Sequence, residues 1–84
     1  MKYPLLSYST IKNYLPLIRS MDVSERARSR GQFLDVYKKH KAQLPPEWSL
    51  KRENFIKRQY EQYKVKPTIR RRLSLIAWAF DPKV

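Results

Sequence analysis

Cysteine is absent from this chain, glycine and histidine each occur once, and only seven acids face nineteen lysines and arginines. Each scarcity excludes something. Without cysteine there is no disulfide, no thiolate nucleophile and no thiolate-ligated metal, a composition that suits a reducing compartment. One glycine cannot build a glycine-rich loop that cradles phosphates. The one histidine, His40, stands in Lys38-Lys39-His40-Lys41; with no second histidine and no cysteine to join it, a surface role is expected rather than a metal site. No stretch approaches the roughly 18 apolar residues of a membrane span. Met1-Lys2 is not followed by a long apolar region or a small-residue cleavage site, so no secretory signal is expected. No Ser/His/Asp spacing stands out, and the spacing of Glu53 and Glu61 is accounted for by ion pairing. The expectation is therefore a protein that is not an enzyme and needs no cofactor, located inside a cell (cytoplasm, nucleus or nucleoid) or a virion.

What is present is a net charge of +12 on a chain that is 42% hydrophobic. A disordered basic tail carries the charge without the apolar content. Eighty-four residues make a single domain, residues 1–84, with a thin stability margin because a small body buries a modest share of its surface. Eleven aromatic residues offset this, each ring burying about 150–250 Å². A large positive field on a folded body favours a polyanionic partner.

Period-2 alternation is sustained nowhere, while apolar residues recur at helical spacing. An all-α fold is predicted, a compact bundle of four or five short helices punctuated by proline. The first helix covers Ser9 to Met21, with Ile11, Tyr14, Leu15, Ile18 and Met21 on one stripe and Pro16 imposing a kink or a restart. The second segment runs from Asp22 to about Ala42. Asp22 with Glu25 and Ser29 with Gln32 read as capping boxes. Either one helix tolerates Gly31 at a cost of about 1 kcal/mol, or a short helix ends there and a second begins, which the paired caps favour. Leu44-Pro45-Pro46 breaks the chain, and Ser49 is the expected N-cap of a long helix to about Lys64. After Val65-Lys66-Pro67 a last helix, capped by Thr68 or opened by Pro67, runs to about Phe80. Its C-terminal half is apolar on nearly every side, so it is predicted to be the central helix.

Several acids have a base at helix-surface spacing: Asp22 with Arg26, Asp35 with Lys39, Glu53 and Glu61 with Lys57, and Lys64 beyond. Such pairs contribute about 0.2–0.5 kcal/mol each. The bases lacking a local acid point to function. Between Lys51 and Arg72 nine bases face two acids. Lys51 and Arg58, seven apart, share one helical face. Arg70-Arg71-Arg72 falls in the first turn of the last helix, where the dipole disfavours cations by about 0.3–1 kcal/mol each and where free N–H groups attract anions. The candidate nucleic-acid-binding residues are therefore Arg70, Arg71, Arg72, Lys51 and Arg58, followed by Arg30, Lys38 and Lys39. The alternative for the arginine triplet is pairing with distant acids after folding.

The function expected is non-catalytic binding of nucleic acid, DNA or RNA, through charge-assisted phosphate contacts with low sequence specificity. The alternative is a structural or adaptor protein of a virion or ribonucleoprotein whose basic face docks on an acidic protein. Attachment to an anionic membrane requires an exposed apolar face beside the bases and is not expected. Trp48, Tyr60, Tyr63 and Trp78 are candidate stacking platforms for unpaired bases, against the more ordinary role of core rings. A helix-turn-helix can be laid on Val23 to Ala42, with Lys38, Lys39 and Lys41 on its recognition helix, but Arg26, Arg30 and Gln32 fall where the turn needs apolar residues.

Overall fold

The computed structural model describes residues 3–39 and 44–82, and is all-helical over them: α1 (Tyr8–Ser20), α2 (Glu25–Arg28), α3 (Phe33–Lys39), α4 (Pro46–Val65) and α5 (Ile69–Ile76). His40 and Lys41 lie outside the described residues. The predicted bundle is the observed one, and the last helix is its centre. The α5 helix packs against both α1 and α4, while α2 packs against α3. From Leu75 to Phe80 every residue is buried.

The helix boundaries differ from expectation for identifiable reasons. Ser7 caps α1, its hydroxyl accepting the Thr10 N–H at 3.2 Å, so the helix begins before Ser9. It runs unbroken through Pro16, held on both sides of the proline by buried Ile11, Leu15 and Ile18. It then closes in a Schellman turn: the N–H of Val23 reaches the Ile18 carbonyl at 3.3 Å, that of Asp22 reaches Arg19 at 3.1 Å, and Asp22 takes the left-handed conformation with φ 52°. In that position Asp22 cannot form a capping box. Its carboxylate pairs instead with Arg28, at 3.0 Å. Ser29 is no cap either: its hydroxyl donates to the Glu25 carbonyl at 2.7 Å. Gly31 does divide the segment. Its φ of 75° is costly for a residue with a Cβ, and its N–H donates to the Asp35 carboxylate at 2.8 Å. That contact takes Asp35 away from its expected role in a helix-surface pair with Lys39.

Pro46, not Ser49, opens α4, occupying the first helical position where a missing N–H is harmless. Thr68 caps α5, accepting the Arg71 N–H at 3.2 Å. That helix ends at Ile76 rather than Phe80, because Ala79 adopts φ 63° in a second Schellman turn, with Phe80 N–H on the Leu75 carbonyl at 3.1 Å and Ala79 N–H on Ile76 at 2.9 Å.

The turn after α5 is clamped from two directions. The extended N-terminal segment lays Leu6 N–H on the Ala79 carbonyl at 2.8 Å and packs Tyr3 edge-on against Phe80, 5.4 Å between centroids. From α4, Arg52 enters the core and is only 2% exposed. Its Nε donates to Trp78 O at 2.8 Å, Nη1 to Tyr3 O at 2.9 Å, and Nη2 to Ala79 O at 2.9 Å and Pro4 O at 3.2 Å. Four carbonyls from the two ends of the chain thus converge on one guanidinium. Burial pulls its pKa down to about 10, against the opposing pull of Tyr37 and Glu53.

Candidate nucleic-acid interface

The face between α4, α5 and the start of α2 carries an open groove of about 640 Å³. One wall is a single stripe of α4. Trp48, Lys51, Phe55 and Arg58 follow one another at three- and four-residue steps, with Asn54 and Gln59 flanking them. The opposite wall holds Ser24, Glu25 and Ser74; the two serine hydroxyls are hydrogen-bonded to each other at 2.8 Å, which ties α2 to α5. Trp78 is buried at the floor.

The rings form a connected stack. Trp78 lies parallel to Phe55 (4.7 Å, 24°) and to Phe33 (4.8 Å, 29°), with Trp48 tilted beside it at 6.5 Å. Phe33 is wholly buried, so the stack is anchored in the core, while Trp48 and Phe55 are only partly buried and line the groove. Lys51 Nζ sits 4.7 Å from the Trp48 ring, a cation–π contact that holds the ammonium at the rim.

A second depression, about 370 Å³, adjoins the first and shares Ser24, Gln59 and Ser74 with it. Arg70 and Arg71 line its far end. Four of the eight predicted residues, Lys51, Arg58, Arg70 and Arg71, therefore border one trough, although the sequence separates the two pairs by a proline break.

The arginine triplet itself is split by the helix. Arg70 donates to the carbonyl of Met21, the C-cap of α1, at 2.7 Å; Arg71 donates to that of Lys66, the C-cap of α4, at 2.8 Å. Cations at the start of α5 oppose their own helix dipole but complement the carbonyl ends of two neighbours. Arg72 points elsewhere. Its guanidinium makes two bonds, 3.2 and 3.0 Å, to the carboxylate of buried Asp81, and its carbon lies 5.7 Å from the Tyr14 ring. The bond to Asp81 raises the Arg72 pKa further, against a smaller effect of burial. The absence of an acid within one turn of Arg72 is thus offset by an acid nine residues on, brought back by the Schellman turn. Arg72 borders a different cavity, with Tyr63, Lys64 and Ile69.

Arg30, Lys38 and Lys39 are exposed, on the α2–α3 connection and the last turn of α3, and border neither depression. Among the stacking candidates Tyr63 is buried and Tyr60 packs edge-on against Phe80 at 5.3 Å; both serve the core. Trp48 and Trp78 are the two that reach the groove. Phe55, Asn54 and Gln59 were not singled out from the sequence as ligand contacts. The i, i+3, i+7 stripe of rings and bases from Trp48 through Lys51 to Phe55 and Arg58 is the signal that marks Phe55; Asn54 and Gln59 flank that stripe and carry no such signal. The helix-turn-helix does not form: α2 is a single turn of four residues.

No helix among the described residues is long and apolar enough to cross a membrane, and no group of three His, Asp or Glu residues among them is placed to hold a metal ion. Fold and groove together define a small all-α domain with a basic, ring-lined trough. No family model matches the chain, and no curated protein or solved structure matches it either.

Proposed function

We propose that this protein is a non-catalytic nucleic-acid-binding domain of low sequence specificity, contacting phosphates through Lys51, Arg58, Arg70 and Arg71. The observation that carries this reading is the convergence of bases from α4 and α5 on two adjoining depressions. A net charge of +12 draws any polyanion, an acidic protein included. Partly buried aromatic rings beside the bases, with an edge at the groove, favour nucleic acid over an acidic protein surface, because every base offers a π-face. Arg30, Lys38 and Lys39 add to the long-range field, and Arg72 serves the fold.

Fluorescence anisotropy with a labelled oligonucleotide tests the reading. Lys51→Gln with Arg58→Gln is expected to weaken binding severalfold and to flatten its salt dependence by about 1 per residue, while Lys38→Gln with Lys39→Gln has a smaller effect. Glu25→Gln, which removes a carboxylate from the groove wall, is expected to tighten binding. Equal affinities for all these variants contradict the proposal.

A further inference from the structure

Duplex and single strand present the same phosphates but differ in what lies between them, and the groove distinguishes the two. At about 640 Å³ it has the volume of a small-ligand pocket, which matches an unpaired base and its neighbours rather than a double helix. Phosphate contact alone gives no reason for partly buried rings to line its wall. Trp48 and Phe55 occur on the same α4 stripe as Lys51 and Arg58, and the ring stack behind them, through Trp78 to Phe33, holds their faces in place. Lys51 and Arg58, seven residues apart, are separated by about 10 Å along the helix axis, with Asn54 and Phe55 between them. The carboxamides of Asn54 and Gln59 can each donate and accept a hydrogen bond, which suits a base edge of either kind.

From this arrangement we infer that the groove binds single-stranded nucleic acid, with an unpaired base laid against the Trp48–Phe55 wall and the flanking phosphates at Lys51 and Arg58. This rests on the nucleic-acid reading above and adds the strandedness and the seat of the base. Stacking tolerates any base, so low sequence specificity is retained.

The test uses the full chain and its own tryptophan emission. Three ligands of about 12 nucleotides per strand are titrated at about 50 mM salt: oligothymidine, an abasic strand of equal charge, and a duplex. Oligothymidine is expected to quench the emission and to bind roughly fivefold or more tighter than the abasic strand, with the duplex weaker than oligothymidine. Trp48→Phe, which keeps a ring on the wall, is expected to retain most of the affinity and to lose much of the quenching. Equal affinity for oligothymidine and the abasic strand, without quenching, overturns the base seat and leaves phosphate binding intact. Tightest binding to the duplex also overturns it. Failure to bind any of the three overturns both the base seat and the nucleic-acid reading.

Discussion

Arg52 Nε donates to the carbonyl of Trp78 at 2.8 Å, while Phe55, three residues further along α4, stacks on the ring of the same tryptophan. One helix thus grips Trp78 by backbone and by side chain. The inward grip orders the core, and the outward one shapes the floor and wall of the groove. Fold and candidate site share this support, so disturbing the first is expected to disturb the second.

Removing the Arg52 guanidinium is the most damaging substitution expected in this chain. Arg52→Met leaves the carbonyls of Tyr3 and Trp78 without that donor in a buried setting, and that of Pro4 without it in a partly buried one. The expected loss is at least about 3 kcal/mol, a large share of the roughly 5–15 kcal/mol available to a small domain. Urea denaturation measures it. Arg52→Lys retains charge but not the forked geometry and should fall between the two. A loss under about 1 kcal/mol for Arg52→Met contradicts the role assigned to it.

Arg72 and Asp81 are predicted to act on stability and not on binding. Their two bonds at 3.2 and 3.0 Å close the start of α5 onto the turn that follows it. A double-mutant cycle with Arg72→Gln and Asp81→Asn is expected to give a coupling of about 1–3 kcal/mol, with oligonucleotide affinity of the folded variants close to that of the parent. For Arg70→Gln and Arg71→Gln the balance differs: each loses a bond to a helix-end carbonyl, about 0.5–1 kcal/mol, and each also weakens binding. The dipole alone predicts that neutralising the triplet stabilises the free protein; the bonds to Met21 and Lys66 offset that gain and the Arg72–Asp81 pair outweighs it.

Tyr37 sets a pH dependence. Its hydroxyl donates to the Leu6 carbonyl, and burial raises its pKa above the ordinary 10.0, against a smaller lowering by Arg52. The folded chain therefore holds this proton more firmly than the unfolded one. The resulting stability is fully present below pH 10 and is lost as pH rises through the folded-state pKa. Burial lowers the Arg52 pKa to about 10, so its linkage opposes that of Tyr37 in sign. Tyr37→Phe is expected to lose about 1 kcal/mol at neutral pH and, in denaturation profiles above pH 10, to show a shallower decline than the parent.

The helical class, the central last helix and the break at Gly31 were legible because each depends on local pattern. Buried Ile11, Leu15 and Ile18 recur at helical spacing, and Gly31 sits where φ must be positive. What stayed illegible depends on tertiary return. Nothing near Arg52 in sequence marks it as buried, because its acceptors are backbone carbonyls at both chain ends. Asp81 reaches Arg72 only through a left-handed Ala79, a conformation that alanine does not announce. Lys51 and Arg58 were legible as a pair by their spacing of seven. Their meeting with Arg70 and Arg71 required knowing how α4 and α5 cross.

The salt dependence of binding tests the central claim most directly. With Lys51, Arg58, Arg70 and Arg71 each neutralising one phosphate of a single strand, log K is expected to fall with log salt at a slope of about −3. A slope near zero, or no measurable binding to DNA or RNA at about 50 mM salt, contradicts the claim that this trough is a nucleic-acid interface.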